Sequence, residues 1–236
     1  VYTMKLPFKK VFGFGFMLLL LPMAGCKKAE SPVSGDEENL PAVNAKFTLL
    51  SPEQTGVEFI NAFTENFDYN IYTYEYLYNG CGVSVGDVNG DGLPDLYFAS
   101  AFARNKLYLN RGNMTFADVT DIAGVAAPDG YKTGVTMADV NGDGLLDIYS
   151  CRTSKDDDGK KTDHLFINKG NHTENGMEIP VFEDQAKKLG LDDNSNTNHA
   201  CFFDMDRDGD LDVFLLNHRI GFDDATKIRV YQKEDG

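Results

Sequence analysis

Three nine-residue segments built on one acidic pattern constrain this chain more than anything else in it. They read Asp87-Val88-Asn89-Gly90-Asp91-Gly92-Leu93-Pro94-Asp95, Asp139-Val140-Asn141-Gly142-Asp143-Gly144-Leu145-Leu146-Asp147 and Asp204-Met205-Asp206-Arg207-Asp208-Gly209-Asp210-Leu211-Asp212. Each carries oxygen-bearing side chains at positions 1, 3, 5 and 9 and glycine at position 6. Alternate residues of a tight loop can point inward. Asp87, Asn89 and Asp91 then converge on one point, as do Asp139, Asn141 and Asp143, and Asp204, Asp206 and Asp208. Glycine at position 6 lets the backbone reverse at positive φ, and position 7 (Leu93, Leu145 or Asp210) can offer its carbonyl, with Asp95, Asp147 and Asp212 closing the cage. An all-oxygen cage suits a hard cation, and Ca²⁺ better than zinc or copper, which favour His or Cys. Asp-Gly and Asn-Gly pairs also make plain hairpin turns, but a turn needs two such residues, not five repeated positions.

The spacing is close to the first half of an EF-hand, yet position 12 holds Phe98, Ser150 and Leu215, where an EF-hand needs a bidentate Glu. The flanks are also wrong for helices. Cys81–Gly86, Thr133–Ala138 and Ala200–Phe203 precede the loops, and Leu96–Ala99, Ile148–Cys151 and Val213–Leu216 follow them. These short runs rich in Val, Ile, Phe and Tyr, bounded by Gly and Asp, predict strand, loop, strand.

The repeat extends beyond the loop. Asn105–Asn110 and Thr115–Thr120 follow the first loop, with His164–Asn168 and Val181–Asp184 as their counterparts after the second. Each ends in a Gly-apolar pair, Gly124-Val125 and Gly190-Leu191. One unit thus holds four strands, and four-stranded units repeating at about 40–50 residues predict an all-β chain folded as a β-propeller. The polar insertions Ser154–Asp163 and His172–Glu178 are expected on exposed loops. Upstream, Phe47 and Gly56 match Phe116 with Gly124 and Phe182 with Gly190, which predicts an outer strand at Phe47. Lys227–Tyr231 reads as the third strand of a third blade. Three blades are too few for a ring of about four to eight, so residues 46–236 read as a partial propeller.

Residues 1–25 have the build of a signal segment, with Lys5, Lys9 and Lys10 ahead of the apolar run Val11–Leu21, too short for a mature spanning helix. Residues 26–45, poor in apolar side chains, read as a flexible tether. The net charge is −15 and becomes −18 without residues 1–25, which hold three Lys and no acid. So acidic a body repels phosphates, which excludes nucleic acid as an expected partner. Cys81, Cys151 and Cys201 fall in predicted strands, where Cys is usually a small core residue; a Cys151–Cys201 bridge is the alternative.

Together these residues resemble the FG-GAP/VCBS repeat family, whose calcium loops look like those of integrin α-subunit propellers. Gly82–Gly92 and Asn105–Asn110 carry the resemblance. Glu75–Gly80 adds a narrower likeness to exported Bacteroidetes lipoproteins in which such repeats precede an ASPIC/UnbV-type domain. Leu21-Pro22-Met23-Ala24-Gly25-Cys26 resembles a bacterial lipobox, which implies cleavage before Cys26, lipidation of its thiol and attachment to the cell envelope, at the outer membrane. The resemblance implies fold more than function, because propellers host adhesion, lectin and enzyme roles alike.

Beyond the loops little chemistry is legible. His164, His172, His199 and His218 lack metal-ligand spacing, and no nucleophile elbow or phosphate loop occurs. Tyr72, Tyr74, Tyr76 and Tyr78 alternate, which on a strand would place four rings on one face. That face is either a half-buried edge on the first blade or an aromatic platform for sugar or peptide. The leading expectation is a calcium-stabilised, lipid-anchored binding module for a glycan or protein ligand. A polysaccharide hydrolase or lyase, and a structural support for a further domain, are the alternatives.

Overall fold

The computed structural model describes residues 47–218, apart from 73, 75, 128–129 and 155–161. The signal segment, Cys26, the tether, the acidic run at 156–159 and Lys227–Tyr231 lie outside the described residues. The chain divides into two compact units, Val1–Thr48 and Leu49–Gly236. All of the described strands and helices belong to the second.

Strands β1 (Val83–Gly86), β2 (Asp95–Phe98), β3 (Lys106–Asn110) and β4 (Phe116–Asp118) form a four-stranded antiparallel sheet in that order. Strands β5 (Tyr131–Ala138), β6 (Asp147–Thr153), β7 (His164–Glu174) and β8 (Met177–Asp184) repeat it. A third pair, β9 (Thr197–Phe203) and β10 (Asp212–Asn217), supplies the two inner strands of the next unit. This is the arrangement of a partial β-propeller. Each acidic loop joins the first two strands of a blade, and the residue before the loop pairs with its ninth position: Gly86 with Asp95, Ala138 with Asp147, Phe203 with Asp212.

Apolar faces of successive blades meet. Tyr97, Leu107, Leu109, Val119 and Val125 of the first blade pack with Val135, Ile148, Phe166, Ile179 and Phe182 of the second. Tyr149, Cys151, Leu165 and Ile167 then pack with Ala200 and Leu215 of the third. Removing a buried Leu such as Leu107 from such a seam costs about 2–5 kcal/mol. Near the inner strands the backbones themselves touch. A Cβ on Gly82 would lie 2.7 Å from the Val135 amide nitrogen, and one on Gly134 2.5 Å from the Asn198 carbonyl. Hydrogen bonds fix this approach: the Gly82 amide donates to the Thr133 carbonyl at 2.5 Å, Thr133 Oγ1 to the Thr197 carbonyl at 2.5 Å, and Thr136 Oγ1 to the Ala200 carbonyl at 2.6 Å.

One-turn helices α1 (Pro52–Thr55), α2 (Thr120–Ala123) and α3 (Ala186–Leu189) each end at a glycine in the left-handed region, Gly56, Gly124 and Gly190. The Gly-apolar pairs of the repeat are therefore helix ends. Thr120, expected to finish an outer strand, instead opens α2, because Asp118 Oδ1 accepts its amide at 3.0 Å and starts the turn. Phe116 and Phe182 are equivalent, facing Asn110 and Asn168 in the register. Phe47 is not their equal: residues 47–50 form no strand, and Phe47 is 90 % exposed. A strand exists only through its ladder, and this segment has no ladder partner among the described residues. Its downstream match holds, since Gly56 lies against the Phe116 carbonyl as Gly124 lies against that of Phe182.

Two more expectations are corrected. The insertion His172–Glu178 is no loop; it extends the β7–β8 hairpin through an Asn175-Gly176 turn, both residues at positive φ. The tyrosine-rich stretch at 72–78 forms no strand among its described residues. Asn66 Oδ1 accepts the amides of Asp68 and Tyr69, and Asn70 Oδ1 that of Tyr72, so side chains capture the backbone and fold it into turns. The rings consequently do not share a face: Tyr72 is 97 % exposed, Tyr78 half-exposed, and Tyr74 buried with Leu77, Ala101 and Tyr131. Cys81, Cys151 and Cys201 are free, and Cys201 is exposed rather than in the core.

Candidate metal centres

The three loops share one hydrogen-bonding pattern and differ in which amides reach Oδ1 of position 1. In the first, Asp87 Oδ1 accepts the amides of Gly90 (2.8 Å) and Asp91 (3.1 Å), and Oδ2 that of Gly92 (2.8 Å). Asn89 Oδ1 accepts the Asp91 amide, and Asp91 Oδ1 the Leu93 amide. The second loop repeats this through Asp139, Asn141 and Asp143, with Asp139 Oδ1 accepting the Asp143 amide, and the third through Asp204, Asp206 and Asp208, with Asp204 Oδ1 accepting the Arg207 amide. Position 6 has positive φ in all three, at Gly92, Gly144 and Gly209. So does position 4, occupied by Gly90, Gly142 and, in the third loop, Arg207 at φ 69°.

Carboxylate oxygens of Asp204, Asp206 and Asp208 lie within 4.8 Å of one another. All three residues are exposed. Three like charges this close repel, and an all-oxygen donor set of this kind fits a hard divalent cation that would offset the repulsion. The first two loops present the same positions with Asn89 and Asn141 as neutral oxygen donors. Position 9 is different in surroundings. Asp95 is fully buried, with Oδ2 accepting the Val88 amide at 3.0 Å and Oδ1 the Asn110 amide at 2.8 Å. Burial pushes its pKa up to about 6 against those two hydrogen bonds, with Asp91 and Asp87 adding to the rise. Asp147 repeats this with Val140 and Asn168 and is likewise raised by burial. Asp212 Oδ2 accepts the Met205 amide at 2.8 Å. In the first two loops the ninth residue thus ties its loop to the neighbouring strand whatever else it binds.

Sequence reasoning missed the residues that brace these loops from outside. Asn110 Nδ2 donates to the Pro94 carbonyl at 2.9 Å. Asn168 Nδ2 donates both to Leu146 of its own blade (3.2 Å) and to Val88 of the first loop (2.9 Å). Asn171 Nδ2 reaches the Asn89 carbonyl at 2.6 Å, and Asn89 Nδ2 donates to the Glu178 carbonyl at 3.3 Å. The recurrence of Asn after the apolar run of the third strand, in Leu109-Asn110 and Ile167-Asn168, was the available signal.

A cleft of about 600 Å³ lies between the second and third loops, with Leu165, Leu191 and Phe202 on its apolar wall and Asp139, Asn141 and Asp210 at its rim. His164, by contrast, sits at the outer hairpin, where Nδ1 lies 2.5 Å from Asp184 Oδ2, and His218 packs tilted against Tyr76.

Part of this chain is similar to known proteins. Mouse and human cartilage acidic protein 1 are each 41 % identical over 69 residues, 29 % of this chain and 11 % and 10 % of theirs. The Xenopus tropicalis protein of the same name is 33 % identical over 69 residues. The chain therefore spans about a tenth of the length of these relatives. Residues 87–150, from the start of the first loop to the strand after the second, match the FG-GAP-like repeat.

Proposed function

We propose that this chain is a calcium-stapled propeller module of the cell envelope, anchored by a lipid on Cys26, that presents a surface for a glycan or protein ligand. One observation carries the calcium reading: three loops, far apart in sequence, share a side-chain arrangement in which position 1 accepts the position 6 amide, position 3 the position 5 amide and position 5 the position 7 amide. Asp87, Asn89, Asp91, Leu93 and Asp95 hold the ion in the first loop. Asp139, Asn141, Asp143, Leu145 and Asp147 do so in the second, and Asp204, Asp206, Asp208, Asp210 and Asp212 in the third. The ion supplies positive charge that the crowded carboxylates lack, and so staples the strand pair that flanks each loop. The FG-GAP-like repeat at 87–150 supports a binding and interaction role. The anchor reading rests on the lipobox-like segment before Cys26 and on the tether behind it.

Melting curves with calcium and with chelator test the staple. Extracellular modules bind calcium with dissociation constants on the order of 10⁻⁴–10⁻³ M. Saturation at about ten times that constant adds about 1.4 kcal/mol per site. Chelation should lower the melting temperature, Mg²⁺ should restore it poorly, and Asp91→Ala should remove one site's share. Superimposed curves would reduce the loops to turns. Cys26→Ala should release the protein from the membrane fraction, and a variant still membrane-bound would remove the anchor. A glycan array and labelled polysaccharides would separate binding from cleavage.

A further inference from the structure

Asn168 is almost fully buried; its Oδ1 accepts the Gly170 amide at the register shift within β7, and its amide and Nδ2 donate to the two loops. Its backbone amide donates to Asp147 Oδ1 at 2.8 Å, and its Nδ2 to the Leu146 carbonyl at 3.2 Å, which fixes positions 8 and 9 of the second loop. The same Nδ2 donates to the Val88 carbonyl at 2.9 Å, position 2 of the first loop. Val88 in turn donates its amide to Asp95 Oδ2 at 3.0 Å. A continuous line of hydrogen bonds therefore runs from Asp147 through Asn168 and Val88 to Asp95. Asn171, three residues further along β7, adds a second tie, from its Nδ2 to the carbonyl of Asn89. Asn89 is itself a candidate ligand: its Nδ2 donates to the Glu178 carbonyl of the same hairpin and to Asp91 Oδ2 within the loop, while its Oδ1 accepts the Asp91 amide.

Asn110 shows what is special in this arrangement. It makes the same bonds inside its own blade, from its amide to Asp95 Oδ1 and from Nδ2 to the Pro94 carbonyl. The bond that Asn168 adds is the one across the seam.

We propose that Asn168 couples the first two loops, so that loading one with calcium raises the affinity of the other. The proposal rests on the calcium reading above. An ion that fixes the second loop fixes Leu146 and Asp147, hence Asn168, hence the Val88 carbonyl and the position of Asp95. Less ordering then remains for the first loop when its own ion arrives. By linkage the effect is reciprocal. Asn168 acts here as a positioning residue and touches no ion.

The test uses the full chain carrying Asp208→Ala, which removes the third loop and leaves two sites. Isothermal titration with calcium should give two ions bound with positive cooperativity, the second about five-fold tighter than independent sites allow, the lower end of usual couplings. Adding Asn168→Ala should abolish the cooperativity, whereas adding Asn110→Ala should weaken the first site and leave the cooperativity in place. Asn171→Ala, at an exposed position, is the milder lesion should Asn168→Ala fail to fold, and it should reduce the cooperativity. Two ions bound independently with Asn168 intact would overturn the coupling while sparing the calcium reading. No calcium bound at all would overturn both.

Discussion

Replacing Asp163 by asparagine puts into the second blade the residue that the first blade already carries at that place. Asn105 Oδ1 accepts the Ser100 amide at 3.0 Å, its Nδ2 donates to Tyr97 Oη at 2.9 Å, and Tyr97 Oη donates to the Val125 carbonyl at 2.7 Å. In the second blade Asp163 Oδ1 accepts the Arg152 amide at 2.6 Å. Tyr149 Oη lies 2.9 Å from both Asp163 Oδ2 and the Leu191 carbonyl. A phenol has one proton for two acceptors. The network closes only if Asp163 is itself protonated and donates to Tyr149, as Asn105 does to Tyr97. Burial drives this, raising the Asp163 pKa well above the ordinary 3.8 despite the hydrogen bonds it accepts, and the nearby Asp193 adds to the rise. Below pH 3.8 both folded and unfolded chains carry the proton and Asp163 costs nothing. Above it the unfolded chain ionises first, and stability falls by about 1.4 kcal/mol per pH unit until the raised pKa is reached. Asp163→Asn removes that slope. Its melting temperature relative to the parent should climb by about 3–6 °C per pH unit above 3.8, as judged for a domain of this size. Calorimetry of both proteins across this range, at fixed calcium, reads the difference and cancels every other titrating group. A variant less stable than the parent at neutral pH, with parallel pH curves, would mean that Asp163 is ionised and paired, and the reasoning would be refuted.

Arg207 holds the left-handed backbone that the other two loops give to glycine, at a cost of about 1–2 kcal/mol. Arg207→Gly should raise the calorimetric melting temperature by about 2–4 °C for each kcal/mol recovered. Gly134→Ala forces a methyl to 2.5 Å from the Asn198 carbonyl, so denaturant unfolding should show a loss of about 1–3 kcal/mol. Asp118 and Asp184 occupy the same place in their blades. Burial raises each pKa, but hydrogen bonds, from Lys106 to one and His164 to the other, outweigh it and leave both below 3.8. Their stabilisation is present above 3.8 and is lost as pH falls through the depressed values. Lys106→Met should therefore shift the acid limb of Asp118's contribution to higher pH in acid-unfolding curves.

Much of the fold was legible because the determinants are local. Five residues at fixed spacing specify a loop, and a loop flanked by short apolar runs specifies its two strands. The 52-residue interval from Asp87 to Asp139 then implies a blade. The helix ends were half legible: Gly124 and Gly190 stood out in the repeat, but the turn that precedes them depends on Asp118 and Asp184 accepting the amides of Thr120 and Ala186. Asn175-Gly176 was a readable hairpin signal hidden within a polar insertion. The tyrosines at 72–78 misled for the opposite reason. Alternation predicts a strand only where nothing else competes for the amides, and Asn66 and Asn70 compete successfully.

The braces around the loops were not legible, and the reason is distance along the chain. Asn168 and Val88 are 80 residues apart, Asn171 and Asn89 82 apart, and the bonds between them exist only once two blades have docked. Docking in turn depends on positions that look unremarkable in sequence. Gly82 and Gly134 let inner strands touch backbone to backbone, while Phe166 and Phe182 fill the seam further out. The seam therefore sets the height at which β7 passes the first loop, and with it whether the Nδ2 atoms of Asn168 and Asn171 reach carbonyls there. Asn89 is buried under that hairpin, whereas Asp206 at the same loop position is exposed. The chemistry of a loop is written in its own nine residues, but the first loop is braced by the blade that follows it.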